Sequence, residues 1–73
     1  MIKLNIIELL EKRGRTRYWL NKQMGMSFQN FTNMVENKTR SISYKNIELL
    51  CELLDCTPDD LFTIDTSENS NET

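Results

Sequence analysis

The 73-residue chain has no histidine, only two glycines and only two cysteines. With no histidine, no nucleophile–base pair can be placed together from the sequence, and two glycines cannot build a phosphate-cradling loop. Cys51 and Cys56 are too few for a disulfide framework. A C-x4-C pair with no histidine also falls short of the four ligands of a structural zinc site. Both are expected to be reduced thiols of a cytoplasmic protein, Cys51 as a small core residue. No apolar run approaches the ~20 residues needed to span a bilayer, and no secretory leader is evident. Asp59 and Asp60 are adjacent carboxylates, but their place at a helix start accounts for them. The expectation is a protein without catalytic residues, metal, cofactor or membrane segment, and with no evident small-molecule ligand.

Basic residues are missing from the whole second part of the chain. All nine Lys and Arg lie within residues 1–45 against three acids, Glu8, Glu11 and Glu36, leaving a net +6 there. Residues 46–73 hold the other eight acids and no base, a net −8. The overall charge of −2 and pI of about 5.0 therefore conceal a separation of sign. Such a separation predicts one positive and one negative face, and a positive face attracts phosphates at short range. The plainer alternative is ordinary solvated surface charge. The length allows one domain, of modest stability unless it oligomerises.

Hydrophobic spacing predicts helices. Residues Leu4 to Arg13 carry Ile6, Leu9 and Leu10 as a stripe, with Asn5 a candidate cap, Lys12 and Arg13 in the last turn, and Gly14 as terminator. Thr16 caps a second helix, Arg17 to Met24, with Leu20 and Met24 on one face. Gly25 stands where a helix ends with positive φ, and Met26 plugs the turn. Ser27 caps a third helix, Phe28 to about Glu36, with Phe31, Met34 and Val35 inward. Ser43 caps a fourth, Tyr44 to Leu54, with Ile47, Leu50, Cys51 and Leu54 on its apolar face. Thr57-Pro58-Asp59-Asp60 opens a fifth. Leu61, Phe62 and Ile64 then close the core or form an apolar edge for a second subunit. From Asp65 apolar residues cease, so residues 65–73 are expected to be a disordered polar tail behind a domain of residues 1–64.

The second and third helices, joined by a tight glycine turn, have the spacing of a helix-turn-helix, whose second helix lies in a DNA major groove. From about Ile6 to Ile64 the chain resembles the lambda-repressor-like (Cro/repressor, XRE-type) helix-turn-helix regulators. The resemblance rests on Arg13, Gly14 and Thr16, on the apolar spacing from Leu20 to Met34, on Asn37-Lys38-Thr39, and on the run Leu54 to Phe62. It implies an all-α, five-helix domain that binds duplex DNA and regulates transcription, most often by repression. Four residues depart from the family pattern. Arg15 replaces an apolar residue, so its stem is expected to cover the core. Arg17 replaces a glutamine that contacts phosphate. Asn21 replaces an alanine at the crossing of the second and third helices. Asn37 replaces the glycine after the third helix, asparagine being the next best left-handed cap, with Lys38 the alternative one residue on.

The exposed face of the third helix comprises Ser27, Phe28, Gln29, Asn30, Thr32 and Asn33, none of them charged. Such groups read base edges rather than grip phosphates. Gln29 and Asn33 suit adenine, and Phe28 and Thr32 suit a thymine methyl. Plain helix surface is the alternative, but a solvated face would normally carry Lys or Glu. Arg17, Lys22, Lys38, Thr39, Arg40, Tyr44 and Lys45 are the expected phosphate contacts. Two half-sites would require a homodimer, and with no dimerisation segment in view it is expected to be weak or induced by DNA. Trp19 either fills the core or serves a partner surface. The rival function is a protein-interaction module on the same fold, an antirepressor or antitoxin-like partner.

Overall fold

The computed structural model describes residues 1–64; the tail expected at 65–73 lies outside the described residues. The order is β1 (Ile2–Leu4), α1 (Ile6–Arg13), α2 (Arg17–Met24), α3 (Phe28–Val35), α4 (Tyr44–Leu54), α5 (Pro58–Leu61) and β2 (Phe62–Ile64). Five helices are present as expected, and α2 and α4 have the bounds read from their caps and spacing.

Hydroxyl caps define the helix starts. Thr16, Ser27 and Ser43 each accept a hydrogen bond from the backbone N–H three residues on, at Trp19, Asn30 and Asn46. Thr57 does the same for Asp60, whose carboxylate reaches back to the Thr57 N–H and completes a capping box. Those bonds to the carboxylate hold the Asp60 pKa below its ordinary value. Gly14 and Gly25 end α1 and α2 in the left-handed conformation, each with φ near +68°, where a side chain would be strained.

The core is continuous from β1 to α5. Leu4, Ile6, Leu9, Leu10, Leu20, Phe31, Met34, Val35, Leu50, Leu54 and Leu61 are buried. Trp19, Met24, Met26, Ile47, Cys51 and Phe62 pack partly buried against them. Burial pushes the Cys56 thiol up to about 11, with the neighbouring Cys51 adding to the shift. Arg13 ties the ends of α1 and α4 together. Its Nε donates to the Leu54 carbonyl at 2.8 Å and its Nη2 to the Asp55 carbonyl at 2.6 Å. A cation there satisfies carbonyls left over at a helix C-terminus.

The unexpected element is a two-stranded antiparallel sheet, β1 with β2, in the register Ile2 to Ile64, Lys3 to Thr63 and Leu4 to Phe62. It adds to the expected five-helix fold without displacing it, and it corrects the expected start of the first helix at Leu4: Leu4 ends a strand, and α1 begins at Ile6. Asn5 makes no side-chain cap bond. Its amide instead donates to the Asp60 carbonyl and the Thr63 hydroxyl, joining the two strands' ends. Ile64 belongs to β2 but is 64% exposed, so Leu61 and Phe62, not Ile64, close the core. Among the described residues no helix is long and apolar enough to cross a membrane.

Candidate nucleic-acid interface

The turn Gly25–Met26 swings α3 across α2, and Phe31, Met34 and Val35 hold its inner face in the core. The outer face is then fixed by helical geometry. Ser27, Phe28, Gln29 and Asn30 are exposed, and Thr32 and Asn33 are partly covered, forming one uncharged ridge. Phe28 is 78% exposed although it is a large apolar residue at the helix start. A side chain of this size left in solvent is a candidate contact surface. Gln29 Nε2 donates to Asn33 Oδ1 at 3.2 Å across one helical turn, which orients both amides. The Ser27 hydroxyl accepts from Asn30 N–H at 3.2 Å, so it caps α3 as well as lining its exposed face.

Clefts flank the ridge on both sides. On the α2 side a cleft of about 270 Å³ is lined by Arg17, Tyr18, Asn21, Phe28, Phe31, Thr32 and Glu36. On the α4 side a cleft of about 210 Å³ runs past Asn30 and Met34 to Thr39, Ser41 and Ser43. The loop between α3 and α4 is thereby placed beside the ridge.

The seven expected phosphate residues are all exposed, but their surroundings differ. Arg17, the first residue of α2, lies 3.6 Å from the Glu36 carboxylate, and Lys38 lies 3.2 Å from the same group. Lys22 sits over the Tyr18 ring at 5.5 Å. Thr39 and Arg40 line a third depression, against β1. Tyr44, the first residue of α4, is 87% exposed with Lys45 beside it. The capping hydroxyls occupy only the third N–H of α2, α3 and α4, so the first two N–H groups of each helix keep their polarity for an anion.

Asn37 adopts the left-handed conformation after α3, with φ +61°, as the glycine-like position requires. It does more than a glycine could. Its Oδ1 accepts from Leu4 N–H at 2.6 Å and its Nδ2 donates to the Leu4 carbonyl at 3.1 Å. The end of α3 is therefore fastened to β1. Sequence spacing does not reveal this, because Leu4 and Asn37 belong to distant elements. It also hides Glu36 as the shared partner of Arg17 and Lys38. Arg15 lies with its guanidinium 4.5 Å over the Trp19 ring, and Trp19 is half-buried against the core. At the α2–α3 crossing the Asn21 Oδ1 is buried with no hydrogen-bond partner, so the asparagine carries a cost that an alanine there would not.

Comparison with known proteins agrees with this geometry. A family described as the Cro/C1-type HTH DNA-binding domain matches residues 5–67. The chain is 26% identical over 69 residues to the uncharacterized HTH-type transcriptional regulator YozG of Bacillus subtilis, a match covering 94% of this chain and 82% of that protein. It also superposes on the crystal structure of a "putative DNA-binding protein" from Bacteroides fragilis with a TM-score of 0.75 and 30% identity. That match covers 86% of this chain and all of the other. The matching family is a class of DNA-binding regulator domains rather than of enzymes. With a family match over nearly its whole length and an outward third helix, the chain belongs to the Cro/C1-type helix-turn-helix family and is the DNA-binding domain of a transcriptional regulator.

Proposed function

We propose that the protein is a sequence-specific repressor that places α3 in the major groove of duplex DNA. Ser27, Phe28, Gln29, Asn30, Thr32 and Asn33 read base edges. Arg17, Lys22, Lys38, Thr39, Arg40, Tyr44 and Lys45 hold the two backbones. One observation carries this reading: α3 presents an exposed ridge without a single charge, with Arg17 at the start of α2 on one flank and the loop of Thr39 and Ser41 leading to the start of α4 on the other. The exposed Phe28 ring gains little from water, and the uncharged amides and the ring match the donor, acceptor and methyl pattern of the major groove. The flanking cations supply affinity without sequence choice.

Residues 1–64 act as the DNA-binding domain, in the cytoplasm, and two copies meet on half-sites about 34 Å apart. Pairing is weak in the free protein and completed on DNA. The rival protein-interaction reading loses ground because Trp19 packs against the core and is covered by Arg15.

Selection of bound duplexes from a random pool, followed by titration of the selected site at several salt concentrations, tests the proposal. A preferred and palindromic site is expected, with a slope of log affinity on log salt near −3.6 per bound subunit for ~4 phosphate contacts each. A flat salt dependence, or a pool that stays random, would refute it.

A further inference from the structure

Glu36 is the only acidic residue between Glu11 and Glu48, a stretch that carries eight of the nine cations. It stands just beyond the last turn of α3 and takes part in both ion pairs found among the described residues, one with Arg17 and one with Lys38. Those two cations come from different elements, the start of α2 and the loop after α3, yet they converge on one carboxylate. Exposed pairs of this kind add little to stability. The side chains of Arg17 and Lys38 are 49% and 65% exposed, so holding the fold together does not account for the arrangement. Glu36 also follows Phe28 and Thr32 along one row of α3, and all three line the α2-side cleft with Arg17. Its carboxylate thus sits on the rim of the base-reading ridge.

We infer that Glu36 is a positioning residue for DNA binding: until a duplex arrives, its carboxylate occupies the anion position that Arg17 and Lys38 later give to a backbone phosphate. A carboxylate and a phosphodiester oxygen are both anionic acceptors, and guanidinium and ammonium groups donate to either. While unbound, Arg17 and Lys38 are held extended beside the ridge instead of being left free. On binding they exchange partners, and Glu36 swings away from the incoming phosphate. The exchange opposes every duplex equally, so backbone contact alone gives weaker binding and α3's base contacts must complete the complex. This inference rests on the DNA-binding reading above and adds an internal competitor to it.

The test uses the full chain, the selected duplex and a scrambled duplex of the same length. Glu36→Gln removes the charge but keeps the shape. Affinity for both duplexes is expected to rise about three- to tenfold at low salt, two exposed pairs being released. The salt slope is expected to steepen by about 0.9, the equivalent of one further phosphate contact. The melting temperature should fall by a few degrees at most while affinity rises, whereas a purely structural role would lower both. Glu36→Asp keeps the charge but shortens the reach, and should tighten binding partway toward the Gln variant. In an Arg17→Ala, Lys38→Ala background the Gln substitution should have little effect. An undiminished effect there, or an Asp variant identical to wild type, would mean general charge repulsion and overturn the inference. So would an unaltered affinity and slope in Glu36→Gln while wild-type protein still binds its site. Failure of wild-type protein to bind any duplex would instead sink the DNA-binding reading itself.

Discussion

The Asn37 clasp permits a quantitative test. Replacing Asn37 by Ala removes two hydrogen bonds to the Leu4 backbone, at 2.6 and 3.1 Å, each worth about 1 kcal/mol net. It also forces an alanine into a left-handed conformation with φ +61°, adding about 1 kcal/mol. The sum, about 3 kcal/mol, is a large fraction of the ~4–11 kcal/mol expected for a domain of this size. Asn37→Gly loses the same two bonds but relieves the backbone, so about 2 kcal/mol is expected. Urea unfolding followed by circular dichroism measures both. A 1 kcal/mol change moves the midpoint of thermal unfolding by roughly 4–8 °C in so small a domain, so the Ala variant should melt at least ~12 °C lower. An Ala variant within about 0.5 kcal/mol of wild type would refute the clasp. A Gly variant less stable than the Ala variant would refute the conformational part of the argument.

Three further outcomes follow from other residues. Arg13→Ala removes a charged donor from the Leu54 and Asp55 carbonyls and should cost about 1.5–3 kcal/mol in chemical unfolding, whereas Arg13→Lys should recover only part of it. Asn21→Ala frees the α2–α3 crossing of an unpartnered buried oxygen and should leave stability equal or higher; a loss above about 1 kcal/mol would show that Asn21 has a partner. Asp60 has a depressed pKa in the folded state, so its contribution is complete above the ordinary value of 3.8 and disappears as pH falls through the lower folded value. Acid unfolding of Asp60→Asn should therefore be less steep with pH than that of wild type, and a carboxyl titration by NMR should place the Asp60 midpoint below 3.8.

The helices were legible because their signals are local. Thr16, Ser27 and Ser43 each precede an apolar stripe, and Gly25 stands at a termination point, so α2, α4 and the start of α3 could be read within a few residues of sequence. The uncharged ridge was legible for the same reason, since helical spacing alone turns Phe31, Met34 and Val35 inward. The sheet was not. Three residues are too few to show a period of two, and β1 finds its partner only at the far end of the described chain. Leu4, an apolar residue one position before a candidate cap, therefore read as helix. Apolarity alone left Ile64 open between closing the core and forming an apolar edge, and its register opposite Ile2 leaves it facing solvent. The Glu36 network and the Asn37 clasp were hidden for one reason: both depend on which distant backbones the packed core brings alongside α3.

That packing gives the small sheet a reach beyond its size. β1 is held on one side by β2 and on the other by Asn37, the second residue past the helix proposed to read DNA. Anything that loosens β1, such as a fusion at Met1 or a break in the pairing with Phe62–Ile64, would release the rear anchor of that helix. A perturbation at the extremities of the fold should thus be felt as a change in grip on DNA, even though neither strand need touch the duplex.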